Sequence, residues 1–233
     1  MIKTRIISCL VFLQFVCIPA YSQKDGVVVV YAKASSGYDI QLTNTRSVPV
    51  TAFIVRCQTR RPAGMVGNLY RSEDAYCNFK DTPIRTKEIR QFTLGPRVHS
   101  EGVTSVISLL AAVYEDGTSE GDPLWVSRIA SNRERVRQDL PVATEMLKQA
   151  LSEGVDSSVL ASRFEDFRLR NVAGVQSTGE DRVFEYATAE HIPTQITGNL
   201  EDIPAGEEGK EALEGRIAAL INTFTEWYAK IPH

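Results

Sequence analysis

The order of apolar and polar residues divides the chain into a strand-forming part followed by a helix-forming part. Val27 to Tyr31 is a run of mainly β-branched residues, and from Tyr38 to Thr43 apolar residues alternate with polar ones. Alternation with a period of two is typical of a strand with one buried face. Further strands are predicted over Val48–Cys57, Ile89–Leu94 and Val103–Tyr114. Successive strands without helices between them favour an antiparallel sandwich over a parallel sheet.

Two polar segments separate or end the predicted strands. Residues 58–83 are predicted to form a long loop, because they contain Arg60-Arg61-Pro62, two glycines and Pro83. The sequence Glu115-Asp116-Gly117-Thr118 predicts a turn after the last long strand.

After Gly121 the apolar residues recur at helical spacing. Asp122 followed by Pro123 is typical of a helix start, with an N-cap and a proline in the first turn. The apolar face is interrupted at Pro141 and continues to Gly154, which predicts a kinked helix or two helices. A further helix is predicted to begin at Asp156 or Ser157, with Leu160, Phe164 and Phe167 on one side.

The last helix is the clearest element in the sequence. Acidic residues favour its N-terminal end, and its apolar residues recur at helical spacing. They are Leu213, Ile217, Leu220, Ile221, Phe224, Tyr228 and Ile231. Trp227 and Tyr228 are interpreted as core anchors in preference to a ligand cage. Before this helix, residues 171–207 are predicted to be mostly loop, with a short helix near Arg182 to Glu190.

The first 22 residues resemble a secretory signal peptide and are not expected to belong to the fold. Lys3 and Arg5 precede an apolar stretch from Ile6 to Pro19, which is too short to span a bilayer. Ala20-Tyr21-Ser22 places small residues where cleavage before Gln23 requires them. We expect a secreted or periplasmic protein whose mature chain has no transmembrane helix. Lipidation at Cys17, where Val16 replaces the usual small residue, and a retained N-terminal anchor are the less favoured alternatives.

Cleavage would remove Cys9 and Cys17 and leave Cys57 and Cys77 in an oxidising compartment. These two are predicted to form one disulfide, which would close a loop of about 20 residues and contribute about 3 kcal/mol. A metal site at these cysteines is disfavoured, because His99 and His191 are isolated and lack ligand spacing.

Composition and charge narrow the classes of function. The chain of 233 residues is 43% hydrophobic and 24% charged, as is ordinary for globular proteins. Its net charge of -3 argues against a dedicated nucleic-acid binder. Residues 23–99 hold 12 basic and 6 acidic residues, and residues 100–233 hold 12 and 23. The favoured explanation of this charge asymmetry is that the two halves attract each other, or that the charges of both are simply solvated. The alternative is an anion-binding surface formed by Arg56, Arg60, Arg61 and Arg71.

No motif for a serine hydrolase or a phosphate-binding loop occurs, and no cofactor is expected. Four carboxylates between residues 115 and 122 raise the possibility of a calcium site. They are Glu115, Asp116, Glu120 and Asp122. Their spacing lacks the pattern of a calcium loop, so a turn and a helix cap are the favoured interpretation.

Two segments carry a family resemblance. Tyr38-Asp39-Ile40-Gln41-Leu42-Thr43-Asn44 and Pro49-Val50-Thr51-Ala52-Phe53 resemble paired strands of immunoglobulin-like bacterial extracytoplasmic domains. Val113-Tyr114-Glu115-Asp116-Gly117-Thr118, followed by Gly121-Asp122 and a helix, is similar to a segment of uncharacterised secreted bacterial proteins. The resemblance covers about residues 24–122 and implies a fold and a compartment, without an activity. The Cys…Trp…Cys arrangement of antibody domains is lacking.

The sequence therefore predicts an α+β protein with three parts: a signal peptide (1–22), an antiparallel immunoglobulin-like β-sandwich (23–119) and an all-helical region (120–233). The leading hypothesis for its function is a non-enzymatic binding or structural module, whose partner is another extracytoplasmic protein or a cell-envelope component. The alternative is a hydrolase or metal-dependent enzyme that uses the carboxylates near residues 115–122. A third possibility is that the last helix packs against another chain.

Overall fold

Strands occupy the N-terminal part of the chain and helices the C-terminal part, which confirms the α+β class. The computed structural model describes residues 26–62, 64–78, 81–95, 103–175, 191–200, 203 and 207–231. The predicted signal peptide, His99 and the short helix predicted near Arg182 lie outside these residues. The strands are β1 (Val27–Ala34), β2 (Gly37–Asn44), β3 (Val50–Arg60), β4 (Val66–Asp74), β5 (Ile89–Leu94), β6 (Thr104–Tyr114) and β7 (Ser119–Gly121).

The seven strands form two antiparallel sheets. One has the order β1-β2-β5 and the other the order β4-β3-β6-β7. In the first sheet Ala34 pairs with Gly37 across a tight hairpin, and Tyr38 pairs with Leu94 of β5. Gly37 has a φ of +111°, and a side chain there would press against the Leu94 carbonyl oxygen, so this corner of the sheet requires glycine.

The prediction of one long loop over residues 58–83 is wrong. β3 continues to Arg60 and β4 begins at Val66, so the two form a hairpin in which the Arg61 N–H donates to the Met65 carbonyl at 2.9 Å. The Thr59 hydroxyl also donates to the Gly67 carbonyl. The arginines, glycines and Pro62 that suggested a loop occupy only the tip and the solvent-facing edge of this hairpin.

Within the described residues, four helical segments follow the strands: α1 (Pro123–Glu153), α2 (Ser157–Ala173), α3 (residues 191–200) and α4 (Glu207–Lys230). The predicted caps are confirmed, because Asp122 accepts from the Leu124 N–H and Asp156 from the Val159 N–H, both at 2.9 Å. Of the two alternatives predicted at Pro141, a second helix is wrong, because α1 runs through the proline as one helix. Burial of Leu140 and Ala143 on either side offsets the local cost of the proline, about 3 kcal/mol.

The chain divides into two compact units that interleave along the sequence, whereas the sequence-based division places one boundary between residues 119 and 120. The first unit contains the chain up to Pro49 together with Val55–Arg71 and Ile84–Leu109. Its core is built from strand residues, among them Ile40, Leu42 and Val55.

The second unit contains Val50–Ile54, Ser72–Pro83 and the chain from Leu110 onward. Its largest core joins the buried faces of all four helices. The core residues of α4 are Leu213, Ile217, Leu220, Phe224 and Trp227. Because α4 packs against α1 and buries this face within its own chain, the alternative of packing against another chain is not supported. In the described part of the chain, none of the helices combines the length and apolar character needed to cross a bilayer.

Candidate functional site

A cleft of about 570 Å³ lies within the second unit. Its walls come from the segment after β4, from the turn after β6 and from the last two turns of α4. The lining residues are Ala75, Tyr76, Asp81, Thr82, Pro83, Glu115, Thr223, Glu226, Trp227 and Lys230. A volume of this size lies within the range of small-ligand pockets.

Asp74, the last residue of β4, organises the wall formed by residues 75–83. Its carboxylate accepts from the Tyr76 N–H at 2.9 Å, and its carbonyl accepts from the N–H groups of Cys77 and Asn78. The Asp74 N–H in turn donates to the Asp81 carboxylate at 3.1 Å. Aspartate is suited to this position because its short side chain caps the backbone two residues onward.

A largely buried ion pair joins the same wall to α1. Arg133 of α1 donates through Nε to the Asp74 carboxylate at 2.8 Å, and the two side chains are only 13% and 14% exposed. A second guanidinium nitrogen donates to the Thr51 hydroxyl, which itself donates to the Val113 carbonyl. The guanidinium also lies over the Tyr76 ring, 4.6 Å from its centroid. This network fixes the Tyr76 ring without help from a ligand.

Trp227 anchors the same segment to the end of α4. Its indole N–H donates to the Tyr76 carbonyl at 2.6 Å, and the side chain is only 2% exposed. The ring makes edge contacts with Phe224 and His191. The interpretation of Trp227 as a core anchor is therefore confirmed, whereas Tyr228 is partly exposed, at 37%.

Among the lining residues that the structure describes, carboxylates outnumber basic groups. Asp81, Glu115 and Glu226 line it together with one lysine, Lys230. Burial raises the pKa of the Tyr76 phenol, and the negative charge of Glu115 raises it further. In the described part of the chain, no hydrogen bond or ion pair joins the side chains of Glu115, Glu226 or Lys230 to another residue. The charges of these three side chains are thus available to a ligand.

Cys77 and His191 lie beside this wall, and burial favours the uncharged form of each side chain. Burial raises the pKa of the Cys77 thiol well above its ordinary value, and the charge of Asp74 acts in the same direction. Burial lowers the pKa of His191, although a hydrogen bond with the Cys77 backbone partly opposes this. At neutral pH the pair is a thiol and a neutral imidazole, so Cys77 is not an activated nucleophile.

No family model, curated protein or solved structure matches the chain. The assignment of function therefore depends on the residues of the chain itself.

The predicted Cys57–Cys77 disulfide is wrong, because both cysteines are free. Cys57 is fully buried in β3 within the first unit, where Gly95 of the segment after β5 lies against its sulfur. Cys77 packs against the helical core of the second unit. Each sulfur is part of a separate core, so the pairing inferred from sequence separation does not occur.

The four carboxylates near residues 115–122 have separate roles. Asp116 accepts from the N–H and the hydroxyl of Thr118, Glu120 accepts from the Tyr114 hydroxyl at 2.8 Å, and Asp122 caps α1. Glu115 alone of these four lines the cleft. Within the described residues no group of His, Cys, Asp or Glu is arranged to hold a metal ion.

The four predicted anion-binding arginines all lie in the first unit. Arg56 and Arg60 are on β3, four residues apart and therefore on one face of the strand. Arg61 is at the hairpin tip, and Arg71 of β4 lies over the Phe92 ring at 5.9 Å. They occupy different parts of the hairpin, and an anion site there stays a prediction.

Sequence reasoning missed most of the cleft residues. Asp81 was placed in the long loop predicted over residues 58–83, and neither Glu226 nor Lys230 was singled out. One available signal was that Tyr76 and Trp227 each lie within two residues of a carboxylate, Asp74 and Glu226 respectively. Arg133 gave no signal, because its partner Asp74 is 59 residues away in sequence.

Proposed function

We propose that the protein is an exported, non-enzymatic binding module that recognises a partner through the cleft of its second unit. The observation that carries this proposal is the set of contacts that holds the cleft wall in place. Its wall is held by the Arg133–Asp74 ion pair and by the bond from Trp227 to Tyr76. A site built before its ligand arrives loses less conformational entropy on binding, which favours recognition.

The ionisable groups at the cleft favour binding over catalysis. Acid–base or nucleophilic catalysis at neutral pH requires groups with pKa values near 7 or a lowered nucleophile pKa. The pKa values of Tyr76 and Cys77 are instead raised, so both hold their protons. Three of the four carboxylates proposed for the alternative enzyme already accept hydrogen bonds. Asp116 accepts in a turn, Glu120 accepts from the Tyr114 hydroxyl and Asp122 caps a helix, so only Glu115 of these four is left.

The strand order supports an immunoglobulin-like β-sandwich as the scaffold. Lettered in chain order, the sheets read A-B-E and C′-C-F-G, with the fourth strand beside the third, as in immunoglobulin-like domains that carry C′. Domains of this architecture are common in recognition outside the cytoplasm, although the fold alone fixes no function.

Export is supported by the positive, apolar and small-residue sequence of residues 1–22. Expression of the full chain in a bacterial host and intact-mass measurement of the exported protein tests this part. We expect a chain that begins at Gln23. A protein that keeps Met1 and stays in the cytoplasmic fraction would contradict export.

Site-specific photocrosslinking tests recognition through the cleft. A photoreactive residue at Thr223, which lines the cleft, is compared with one at Thr225, which does not. The two threonines are matched, since both are on α4 and each donates to the carbonyl four residues earlier. In cell-envelope extracts we expect a crosslink at position 223 that excess unlabelled protein suppresses. Equal crosslinking at both positions would argue against the cleft as the recognition site.

A further inference from the structure

The charges around the cleft indicate what kind of group it receives. The described residues that line the cleft include three carboxylates, Asp81, Glu115 and Glu226, and one ammonium group, Lys230. Because a cleft with low-dielectric walls concentrates the field of its own charges, an anionic ligand meets a net repulsion there and a cation a net attraction. The Glu115 carboxylate is close enough to Tyr76 to raise the pKa of the phenol, so its field extends over the aromatic wall.

Two other classes of ligand fit less well. A neutral sugar needs the open face of an aromatic ring on which to stack, and Trp227 is only 2% exposed. A bare metal ion needs several converging ligands, and the described residues contain no such group. An organic cation needs carboxylates for its charged head and an apolar surface for its stem, and Glu115, Glu226 and Tyr76 all line the cleft.

We propose that the cleft binds an alkylammonium or guanidinium group, presented by a lysine or arginine side chain of a partner polypeptide. This inference rests on the proposed binding function. At about 570 Å³ the cleft has room for a long basic side chain and part of its flanking backbone. Glu115 and Glu226 pair with the cationic head, while Tyr76 and Pro83 contact the apolar stem.

The test is titration calorimetry of the full mature protein with three peptides of different charge and one small diamine. The first is a capped tripeptide with a central arginine, the second is its glutamate counterpart and the third its glutamine counterpart. Cadaverine, a free diamine, separates a small-molecule source from a polypeptide. We expect the arginine peptide to bind most tightly and to weaken as ionic strength rises.

Matched variants locate this binding. Glu226→Gln and Glu115→Gln should each weaken the arginine peptide about two- to fivefold, as expected for solvent-accessible ion pairs. Lys230→Gln should strengthen it by a similar factor, because the one basic group among the described lining residues is lost. Glu214→Gln and Lys210→Gln make the same changes of charge on exposed positions of α4 outside the cleft, and should leave the affinity unchanged.

The outcomes separate this inference from the binding function on which it rests. Equal or tighter binding of the glutamate or glutamine peptide, or equal effects of the cleft and control variants, would overturn the cationic specificity. Cadaverine binding more tightly than the peptide would support the cationic chemistry and overturn the polypeptide source. If no probe binds while the crosslink at position 223 persists, the cationic inference fails alone. If the crosslink is also absent, both fail.

Discussion

The two units bury polar groups in different ways. In the first unit the fully buried Asn44 amide donates to the carbonyls of Val48 and Ile84, at 2.9 and 3.0 Å. In the second unit the largely buried Arg133 and Asp74 form an ion pair. The amide is neutral, whereas each member of the ion pair needs the charge of the other to offset the cost of its own burial. The comparison indicates that the second unit is the more sensitive to the loss of a charged side chain.

The largest expected effect is at the ion pair. Arg133→Met should lower the free energy of unfolding by about 3–5 kcal/mol, because the Asp74 carboxylate then stays buried without its partner. Both tryptophans, Trp125 and Trp227, belong to the second unit, so urea unfolding followed by tryptophan fluorescence reports on it directly.

Arg137→Met on the same helix is the matched control. The Arg137 side chain pairs with Glu134 at 2.9 Å on an exposed surface, so its loss should leave the free energy of unfolding nearly unchanged. Addition of Asp74→Asn to Arg133→Met should recover part of the stability, because the unpaired charge is removed. Equal losses for the two single variants would show that the buried pair has no special role.

Patterns local in sequence predicted the elements, and contacts distant in sequence were missed. A β-branched run located β1, alternation located β2, and the Asp122-Pro123 signal located the start of α1, because each depends on neighbouring residues. The β3–β4 hairpin was missed because its tip contains arginines and glycines, which are equally typical of loops. The Arg133–Asp74 contact and the α4 side of the cleft come from tertiary packing, which a single sequence does not encode locally.

The second largest effect is expected at Asn44 in the first unit. Asn44→Ala removes the donors to two backbone carbonyls and should lower the free energy of unfolding by about 1–3 kcal/mol. Because no charge is lost, the loss should be the same at all values between about pH 5 and pH 8. Urea unfolding followed by far-ultraviolet circular dichroism at several pH values checks this. Asn222→Ala, on an exposed position of α4, is the control and should be neutral.

The cysteines test whether a covalent link joins the two cores. If both thiols are free, Cys57→Ala and Cys77→Ala should each lower the free energy of unfolding by about 1 kcal/mol. The two losses should add in the double variant. A disulfide would instead give about 3 kcal/mol for either single variant, no further loss in the double variant and sensitivity to reductant. The measurement is urea unfolding with and without a reducing agent, together with thiol labelling of the denatured protein, which should find both cysteines free.

The smallest effect is expected at His191, and its sign follows from the direction of its pKa shift. Burial lowers the pKa of the folded imidazole below the ordinary value of 6.5, so the unfolded chain binds a proton at a higher pH than the folded chain. His191 should therefore have no effect on the pH dependence well above pH 6.5. Below that value stability should fall as pH drops towards the folded pKa.

His191→Phe should flatten this decline and leave the behaviour above neutral pH unchanged, because the ring contact with Trp227 at 6.0 Å is largely kept. Urea unfolding from about pH 7.5 down to about pH 5.5 measures the slope. Asn44→Ala is the control and should keep the wild-type slope, since its unit lacks this histidine. If His191→Phe keeps the slope as well, the decline has another source, and the assignment of pH sensitivity to this part of the second unit is wrong.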